Sequence, residues 1–294
     1  MAITLALWLH EPNFGSSTNL LTIARDMAVV GIMGAGMTMV ILTGGIDLSV
    51  ASILAFSAAV MAGLMVSGVD TWLAVLGALA VGTACGALNA LLITQLKVPP
   101  IITTLGTMGI FRAAVTLYTH AKWIGPLPEN FYFVGTGYTP IILLAVIGAA
   151  ACLFLLRVRP GRYILAVGGN EEAVRLSGIK VNGVKFVVYT MNGFLASLAG
   201  LIVASSMFSA QSNMALGYEL NVIAAVVIGG TSISGGQGSV LGTVIGAAIM
   251  AVLYNALILL GASLGISVYW HKVITGAVIL SAVLLDRVRF MRSQ

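Results

Sequence analysis

Charged residues are scarce in this chain, and their scarcity excludes an ordinary soluble domain. Asp, Glu, Lys and Arg make up 8% of the 294 residues, whereas hydrophobic residues make up 59%. A soluble domain carries about 25% charged residues. A chain this apolar needs lipid as its solvent. Because one helical span takes roughly 20 apolar residues, the length allows on the order of ten spans with short loops.

Motifs for catalysis, nucleotide hydrolysis and metal binding are missing as well. The sequence contains no G-x-x-x-x-G-K-[ST] loop, and His10, His120 and His271 are scattered. Cys85 and Cys152 lie in apolar runs and predict small core residues. No basic helix with interleaved aromatic residues accompanies the net charge of +5, so nucleic acid is not a predicted partner. We predict no catalytic residue, no metal and no bound cofactor.

Apolar runs follow one another with little between them, which predicts an all-α, polytopic transmembrane bundle of about ten segments. The N-terminal run 1–9 is too short to span and predicts the remnant of a first helix or a short re-entrant piece. We expect one transmembrane domain over residues 1–294. The other predicted spans are 27–43, 48–68, 72–94, 100–118, 139–156, 186–208, 220–233, 240–260 and 266–285.

Lys and Arg predict the orientation of the bundle in the membrane. The longest polar stretch, 157–185, carries six basic residues, and the C-terminus carries Arg287, Arg289 and Arg292. Four predicted spans separate these two regions, so both lie on the same side, which the positive-inside rule assigns to the cytoplasm. The loop 119–138 and the segment 10–26 are then outside. The aromatic residues of 119–138 predict either an interfacial cap or a docking surface for an outside partner.

Glycines recur at four-residue spacing and predict close helix contacts. Gly82 and Gly86 form one such pair, and Gly238, Gly242 and Gly246 form a series. Lipid gives helices no hydrophobic reason to associate, and small residues let backbones approach closely. The same glycines could also line a pore. A weak internal repeat relates segments 40–49 and 226–234, both with a double glycine followed by a serine, and predicts two helix breaks on one membrane face.

The segment 168–179, with sequence GGNEEAVRLSGI, predicts a short helix within the polar loop 157–185. Asn170 can accept the N-capping hydrogen bond, Glu171 and the next acid suit the first turn, and Gly178 is a typical stop. Ala173, Leu176 and Ser177 would share one face. Because so short a helix is unstable alone in water, it must pack either on the membrane interface or into a groove of a soluble partner.

Several polar residues lie inside or beside the predicted spans. Asp47 follows Gly44-Gly45 and, with Ser49, would cap the next helix, or it could serve as a gate or ion site. Arg112 would snorkel outward, bond freed carbonyl groups or pair with an acid, and a structural role is favoured. Four asparagines would form interhelical hydrogen bonds or line a path for a polyhydroxylated solute; they are Asn89, Asn192, Asn221 and Asn255.

Three motifs together resemble a known family. The sequence MTMVILTGGIDLSV at 37–50, GGTSISGGQG at 229–238 and the segment 168–179 resemble the ribose-type sugar permeases of bacterial ATP-binding cassette importers. Phe111-Arg112 and Gly106-Thr107 fit the same pattern. The Gly-Gly-Asn-Glu start and Leu-Ser-Gly-Ile end of 168–179 resemble the sugar branch more than the related branched-chain amino acid permeases.

The resemblance implies a multi-pass permease of the bacterial inner membrane that translocates a monosaccharide or similar polar solute. It implies four kinds of partner: a second permease copy or paralogue, a cytoplasmic ATPase that binds the ATP, a periplasmic solute-binding protein and membrane lipid. The implied contacts with the ATPase are Gly169, Asn170, Glu171, Ala173, Leu176, Ser177 and Gly178. The loop 157–185 would therefore be a coupling loop.

Two other function classes compete with this interpretation. A secondary transporter driven by an ion gradient would need an intramembrane coupling site, for which Asp47 is the one well-placed candidate. A receptor or structural membrane protein would not need the predicted helix breaks or the glycine-rich helices, which argue against it.

Overall fold

We describe the fold from a computed structural model, which describes residues 14–264, 267 and 270–292. The predicted segment 1–9 lies outside the described residues. Regular structure within the described part is helical and has no named strand, apart from an isolated bridge between Ile124 and Ala210. The helices are α1 Ser17–Leu42, α2 Val50–Val66, α3 Thr71–Thr94, α4 Pro100–Thr119, α5 Thr139–Arg157, α6 Arg159–Gly169, α7 Glu171–Leu176, α8 Val181–Met207, α9 Tyr218–Ile228, α10 Val240–Leu264 and α11 Trp270–Arg292, with a 3₁₀ turn at Glu129–Val134.

The predicted polytopic bundle is confirmed. Within the described part of the chain, six helices are long and apolar enough to cross a membrane, judged by length and composition. They are Ser17–Leu42, Thr71–Thr94, Pro100–Thr119, Thr139–Arg157, Val181–Met207 and Val240–Gly261. The apolar helices α2 and α9 are shorter. The chain is therefore a multi-pass membrane protein.

N-terminal caps formed by side chains, and a proline at the first helical position, explain where three of the helices begin. The Ser16 side chain accepts the backbone N–H of Asn19 at the start of α1, and Asp70 accepts the N–H groups of Trp72 and Leu73 at the start of α3. Such caps satisfy N–H groups that have no partner within the helix. Pro100 opens α4, where its fixed φ suits the first helical position and its missing N–H is not needed.

Four predicted boundaries differ from the structure by five residues or more. Helix α8 begins at Val181 rather than 186, and α11 ends at Arg292 rather than 285. Helix α1 begins at Ser17, ten residues before the predicted span 27–43, because its polar residues find partners inside the bundle: the side-chain amide of Asn19 pairs with that of Asn255, and Arg25 Nε donates to the Gly137 carbonyl at 3.0 Å. Helix α9 ends at Ile228 rather than 233, since Gly230 adopts a φ of +87° that an α-helix does not allow.

Helices α1 and α8 form the centre of the bundle. The most apolar 18-residue window of α1 is 83% buried, whereas the corresponding windows of α4 and α5 are each 28% buried. Helix α8 packs against α1, α2 and α3, while α10 packs against α1 and α9. Helices α4 and α5 therefore present apolar side chains outward, toward lipid or a partner chain.

Glycines create the closest helix crossings, as their spacing predicts. Gly82 and Gly86 of α3 face Gly193 of α8, and a Cβ built on Gly193 would overlap the Gly82 carbonyl oxygen. Gly242 of α10 likewise lies against the backbone of Gly229. Gly238 differs from the expectation, because it precedes α10 in the loop, where its φ of +156° places it against Thr231.

Two glycine substitutions, one at the α3–α8 crossing and one away from it, should change the stability of the bundle in opposite directions. Gly193→Ala should destabilise the bundle by about 1–3 kcal/mol, because the added methyl group must push two backbones apart. Gly106→Ala on α4 should be neutral or stabilising by about 0.5–1 kcal/mol, since nothing lies within 4 Å of its Cβ and alanine favours the helix.

The measurement is the midpoint of unfolding in mixed detergent micelles titrated with SDS. Equal midpoints for Gly193→Ala and the unaltered chain would contradict the packing described above.

Candidate functional site

Helix α7 is the predicted short helix and has the predicted caps. The side-chain oxygen of Asn170 accepts the backbone N–H of Ala173 at 2.9 Å. Gly178 follows the helix with a φ of +82°, the left-handed conformation that suits a C-terminal stop. Glu171 and Glu172 stand in the first turn, where negative charge is favourable.

Contacts on one side fix α7 to the rest of the protein. Lys185 Nζ on α8 donates to Glu171 Oε2 at 2.7 Å, and Arg175 bonds the other carboxylate oxygen of Glu171 at 2.7 Å. The hydrogen bond from the Lys185 ammonium holds the pKa of Glu171 below its usual range. Val174 is buried with Val167 of α6 and Val181 of α8. The helix is thus held by an ion pair and a small apolar cluster.

The opposite side of α7 is free within the chain. Ala173, Leu176 and Ser177 are exposed there, and Leu176 is 82% exposed, the highest value among the described large hydrophobic side chains. Gly169, Asn170 and Gly178 are exposed too, whereas Glu171 is half-buried in its ion pair. The structure therefore places the seven predicted contact residues around one short helix. Their contact with an ATPase stays a prediction.

Gly168 and Gly169, which precede α7, lie against the two predicted helix breaks. Gly236 N, after α9, donates to the carbonyl oxygen of Leu42 at the end of α1, at 3.0 Å. Gly168 lies against both groups, so closely that a Cβ at this position would overlap them. Gly235 in turn lies beside Gly44. We call this contact of segments 42–45, 168–169 and 235–236 the glycine junction. It brings three motifs that are distant in sequence into one place.

A buried polar network follows the first break. Asp47 Oδ1 accepts hydrogen bonds from the backbone N–H of Ser49 at 2.9 Å and from the Ser49 hydroxyl at 2.6 Å. Asp47 Oδ2 accepts from Asn192 Nδ2 on α8 at 2.9 Å. Asn89 Nδ2 on α3 donates to Ser49 Oγ at 2.8 Å. The network connects the start of α2 with α3 and α8.

This network satisfies a carboxylate that would otherwise be very unfavourable in the bundle. Asp47, Ser49, Asn89 and Asn192 are fully buried. Ser49 occupies the N-cap position of α2, as predicted, but its side chain bonds Asp47 instead of a helix N–H. Charge-assisted hydrogen bonds are the strong ones, so three donors on one carboxylate offset much of its desolvation. Contact of these four residues with solute stays a prediction.

The other predicted polar residues lie elsewhere. Asn255 exchanges two hydrogen bonds with Asn19, at 3.0 and 2.7 Å, and so joins α10 to α1. Asn221 lines a cavity near the opposite end of the bundle from α7. Arg112 donates to the carbonyl oxygens of Ser212 and Met214, the second of its three predicted alternatives.

Asp26 is the residue that the sequence analysis missed. The segment 10–26 was predicted to lie on the outer side of the bundle. Its residues 17–26 belong to α1, which places Asp26 at the same cavity as Asn221. The apolar run of residues 20–24 before Arg25 is the signal that could have revealed it. In the part of the chain that the structure describes, no group of three or more His, Cys, Asp or Glu side chains could hold a metal ion.

Comparisons with known proteins agree in placing the whole chain in one group. A family model described as branched-chain amino acid transport system / permease component matches residues 19–283. The ribose import permease protein RbsC of Bacillus subtilis (strain 168) is 46% identical over 284 residues, which cover 94% of this chain and 87% of that protein. RbsC of Escherichia coli (strain K12) is 44% identical over 285 residues, covering 94% and 88%.

A likeness to a solved structure concerns the fold alone. A chain of PsaBC from Streptococcus pneumoniae, in complex with Fab, superposes with a TM-score of 0.55 at 14% sequence identity, covering 97% of this chain and 94% of that chain. The helical arrangement is therefore shared with a chain of quite different sequence.

The buried network predicts a specific loss of stability. Asn192→Ala should lower the free energy of unfolding by about 1–3 kcal/mol, because Asp47 Oδ2 loses its donor in a buried place. Asn213→Ala, at an exposed asparagine, is the matched control and should have little effect.

A double-mutant cycle in SDS-titrated micelles measures the coupling between Asp47 and Asn192. We expect the effects of Asp47→Ala and Asn192→Ala to be far from additive, since the two side chains are bonded to each other. Strict additivity would show that they act independently.

Proposed function

This chain belongs to the family of branched-chain amino acid transport system permease components, and we propose that it is the membrane-spanning permease subunit of an ATP-binding cassette importer that carries a monosaccharide. Ribose import is the activity in the names of both relatives described above, which makes ribose the first solute to test. The energy comes from ATP bound and hydrolysed by a separate subunit.

The exposed face of α7 carries this proposal. An apolar side chain that is 82% exposed, on a helix that is capped and anchored from behind, suits insertion into a groove of a soluble partner. Six residues of helix could not be stable alone in water, but the Glu171–Lys185 ion pair and the Val174 cluster hold them in place. A cytoplasmic ATPase subunit would receive Leu176 and the residues around it.

The glycine junction supplies a route from the ATPase to the membrane helices. When ATP binding draws two ATPase subunits together, each would move the α7 that it holds. Gly168 touches the ends of both breaks, so a displacement of α7 reaches the end of α1 through Leu42 and the segment after α9 through Gly236. The hydrogen bond from Asn192 to Asp47 would extend the connection to α8. Coupling between the ATPase and the membrane helices requires that these packed helices can adopt two distinct arrangements.

The assembly would contain further subunits. A second copy of this chain or a paralogue would pack on the outward apolar faces of α4 or α5, with the solute passing along the interface. A periplasmic solute-binding protein would dock at the end opposite α7, where the side chains of Trp72, Trp123, Phe133 and Tyr138 are exposed. The protein would lie in the bacterial inner membrane, with the loop 157–185 and the C-terminus in the cytoplasm.

A charge introduced at Leu176 tests the proposal. Leu176→Asp should reduce uptake of labelled D-ribose in cells to background, because a carboxylate cannot enter an apolar groove without losing its hydration. Leu176→Met keeps an apolar side chain of similar size and is the matched control, with uptake close to normal.

Two further measurements accompany the uptake assay. Tagged chain purified in mild detergent should retain an ATPase subunit, identified by mass spectrometry, and Leu176→Asp should lose it while still inserting into the membrane. Normal uptake by Leu176→Asp would refute the role of α7. Uptake that collapses with the proton or sodium gradient while cellular ATP stays high would instead support the ion-driven alternative.

A further inference from the structure

A cavity whose walls are mainly apolar, with several polar groups among them, lies at the end of the bundle away from α7. It has a volume of about 510 Å³ and opens between α1, α9, α10 and α11. Ligand pockets for small molecules commonly have volumes of 300–1,000 Å³, so the space suits a monosaccharide. Polar or aromatic groups from all four helices reach it; they are Asp26, Tyr218, Asn221, Tyr254, His271, Lys272 and Thr275.

Asp26 is the most unusual group in this cavity. It lies ten residues beyond the N-cap Ser16, about 15 Å along α1, and is half-buried. Among the described residues, the ion pairs within 4.0 Å are those of Glu171 and Glu172 with Arg175 and Lys185, so Asp26 forms no ion pair there, although Lys272 lines the same cavity. A carboxylate at this depth needs hydrogen-bond donors, and an intramembrane acid is a functional candidate by default.

The remaining walls match the two kinds of surface that a sugar presents. Thr275 Oγ1 donates to Asn221 Oδ1 at 3.4 Å, which leaves the Asn221 amide hydrogens for another acceptor. The rings of Tyr254 and His271 pack edge to face, with centroids 4.6 Å apart, and Met250 adds an apolar side chain. A monosaccharide has several hydroxyl groups that donate and accept, together with apolar C–H faces that pack on aromatic rings.

We propose that this cavity is a binding site within the permease itself for a polyhydroxylated solute of monosaccharide size. Asp26 accepts hydrogen bonds from solute hydroxyls, Asn221 and Thr275 bond a second region of the solute, and Tyr254 contacts its apolar face. One carboxylate and one imidazole are a poor ligand set for a metal ion, whereas a sugar supplies the donors that Asp26 needs. This inference rests on the proposed function.

Helix α9 would connect this site with the glycine junction. Tyr218 and Asn221 stand in its first turn, at the cavity, and its other end is followed by Gly229 and Gly230. Its eleven residues span about 16 Å. A solute that shifts the first turn of α9 would therefore also shift the segment 235–236, which contacts Gly168 and Gly169 just before α7. Binding of a solute in the cavity would in this way change the position of α7 and so affect the ATPase that holds it.

The direct test measures binding of labelled D-ribose to the purified permease–ATPase complex without the solute-binding protein. The unaltered complex should bind saturably. Asp26→Asn should weaken binding about tenfold or more, because the charge-assisted hydrogen bonds are lost, and Thr275→Val should weaken it several-fold. Glu129→Gln, which neutralises an exposed acid outside the cavity, is the matched control and should bind normally.

A protection assay keeps the test decisive if Asp26→Asn does not assemble. In a chain with Cys85→Ala and Cys152→Ala, Leu216→Cys, at an exposed residue of the cavity wall, should react with a hydrophilic thiol reagent, and D-ribose should slow that reaction at the concentrations that saturate binding. D-Ribose that gives no protection and no saturable binding would overturn the proposal, as would binding that Asp26→Asn leaves unchanged.

The two proposals fail in different ways. A complex that retains its ATPase and imports D-ribose, but whose Asp26→Asn variant binds and imports normally, refutes the cavity site alone. A chain that purifies without an ATPase refutes the proposed function.

Discussion

Contact between helix backbones at glycine residues is the constraint on which this fold depends. Lipid solvates an apolar helix as well as a neighbouring helix does, so burial of apolar area cannot hold the bundle together. Close approach provides dispersion contacts instead, and only residues without a side chain allow it. Gly82, Gly86 and Gly193 bring α3 and α8 together, and Gly242 brings α10 onto the end of α9. The first of these contacts holds the central helix α8.

The same constraint forms the glycine junction, where the end of α6 lies against the end of α1 and against the non-helical segments 43–45 and 235–236. A non-helical segment inside a membrane bundle must satisfy its own hydrogen bonds. The bond from Gly236 N to the Leu42 carbonyl does so by joining two breaks to each other. Because Gly168 lies against both the Leu42 carbonyl oxygen and Gly236 N, the residues that precede α7 pack directly on the end of α1 and on the segment after α9. The contact between these segments therefore follows from the way in which the backbone groups at the two helix breaks find hydrogen-bond partners.

The two ends of the bundle differ in chemistry as the proposed transport requires. The α7 end combines a buried carboxylate, satisfied by hydrogen bonds from Ser49 and Asn192, with an exposed leucine. Asp47 therefore has three hydrogen-bond donors supplied by Ser49 and Asn192. At the other end, Asp26 is half-buried, forms no ion pair among the described residues and faces a cavity. The two aspartates thus have different surroundings.

The sequence by itself determined the properties that depend on composition and on neighbours along the chain. Scarce charge and repeated apolar runs require a polytopic helical bundle, and the caps of α7 follow from Asn170 and Gly178 because capping is local. The tertiary structure alone decided which polar groups meet. Asp47 and Asn192 are 145 residues apart, and Asn19 and Asn255 are 236 residues apart. Such pairs depend on how each helix is rotated and where it crosses its neighbours, and uniformly apolar helices carry no periodic signal that fixes either.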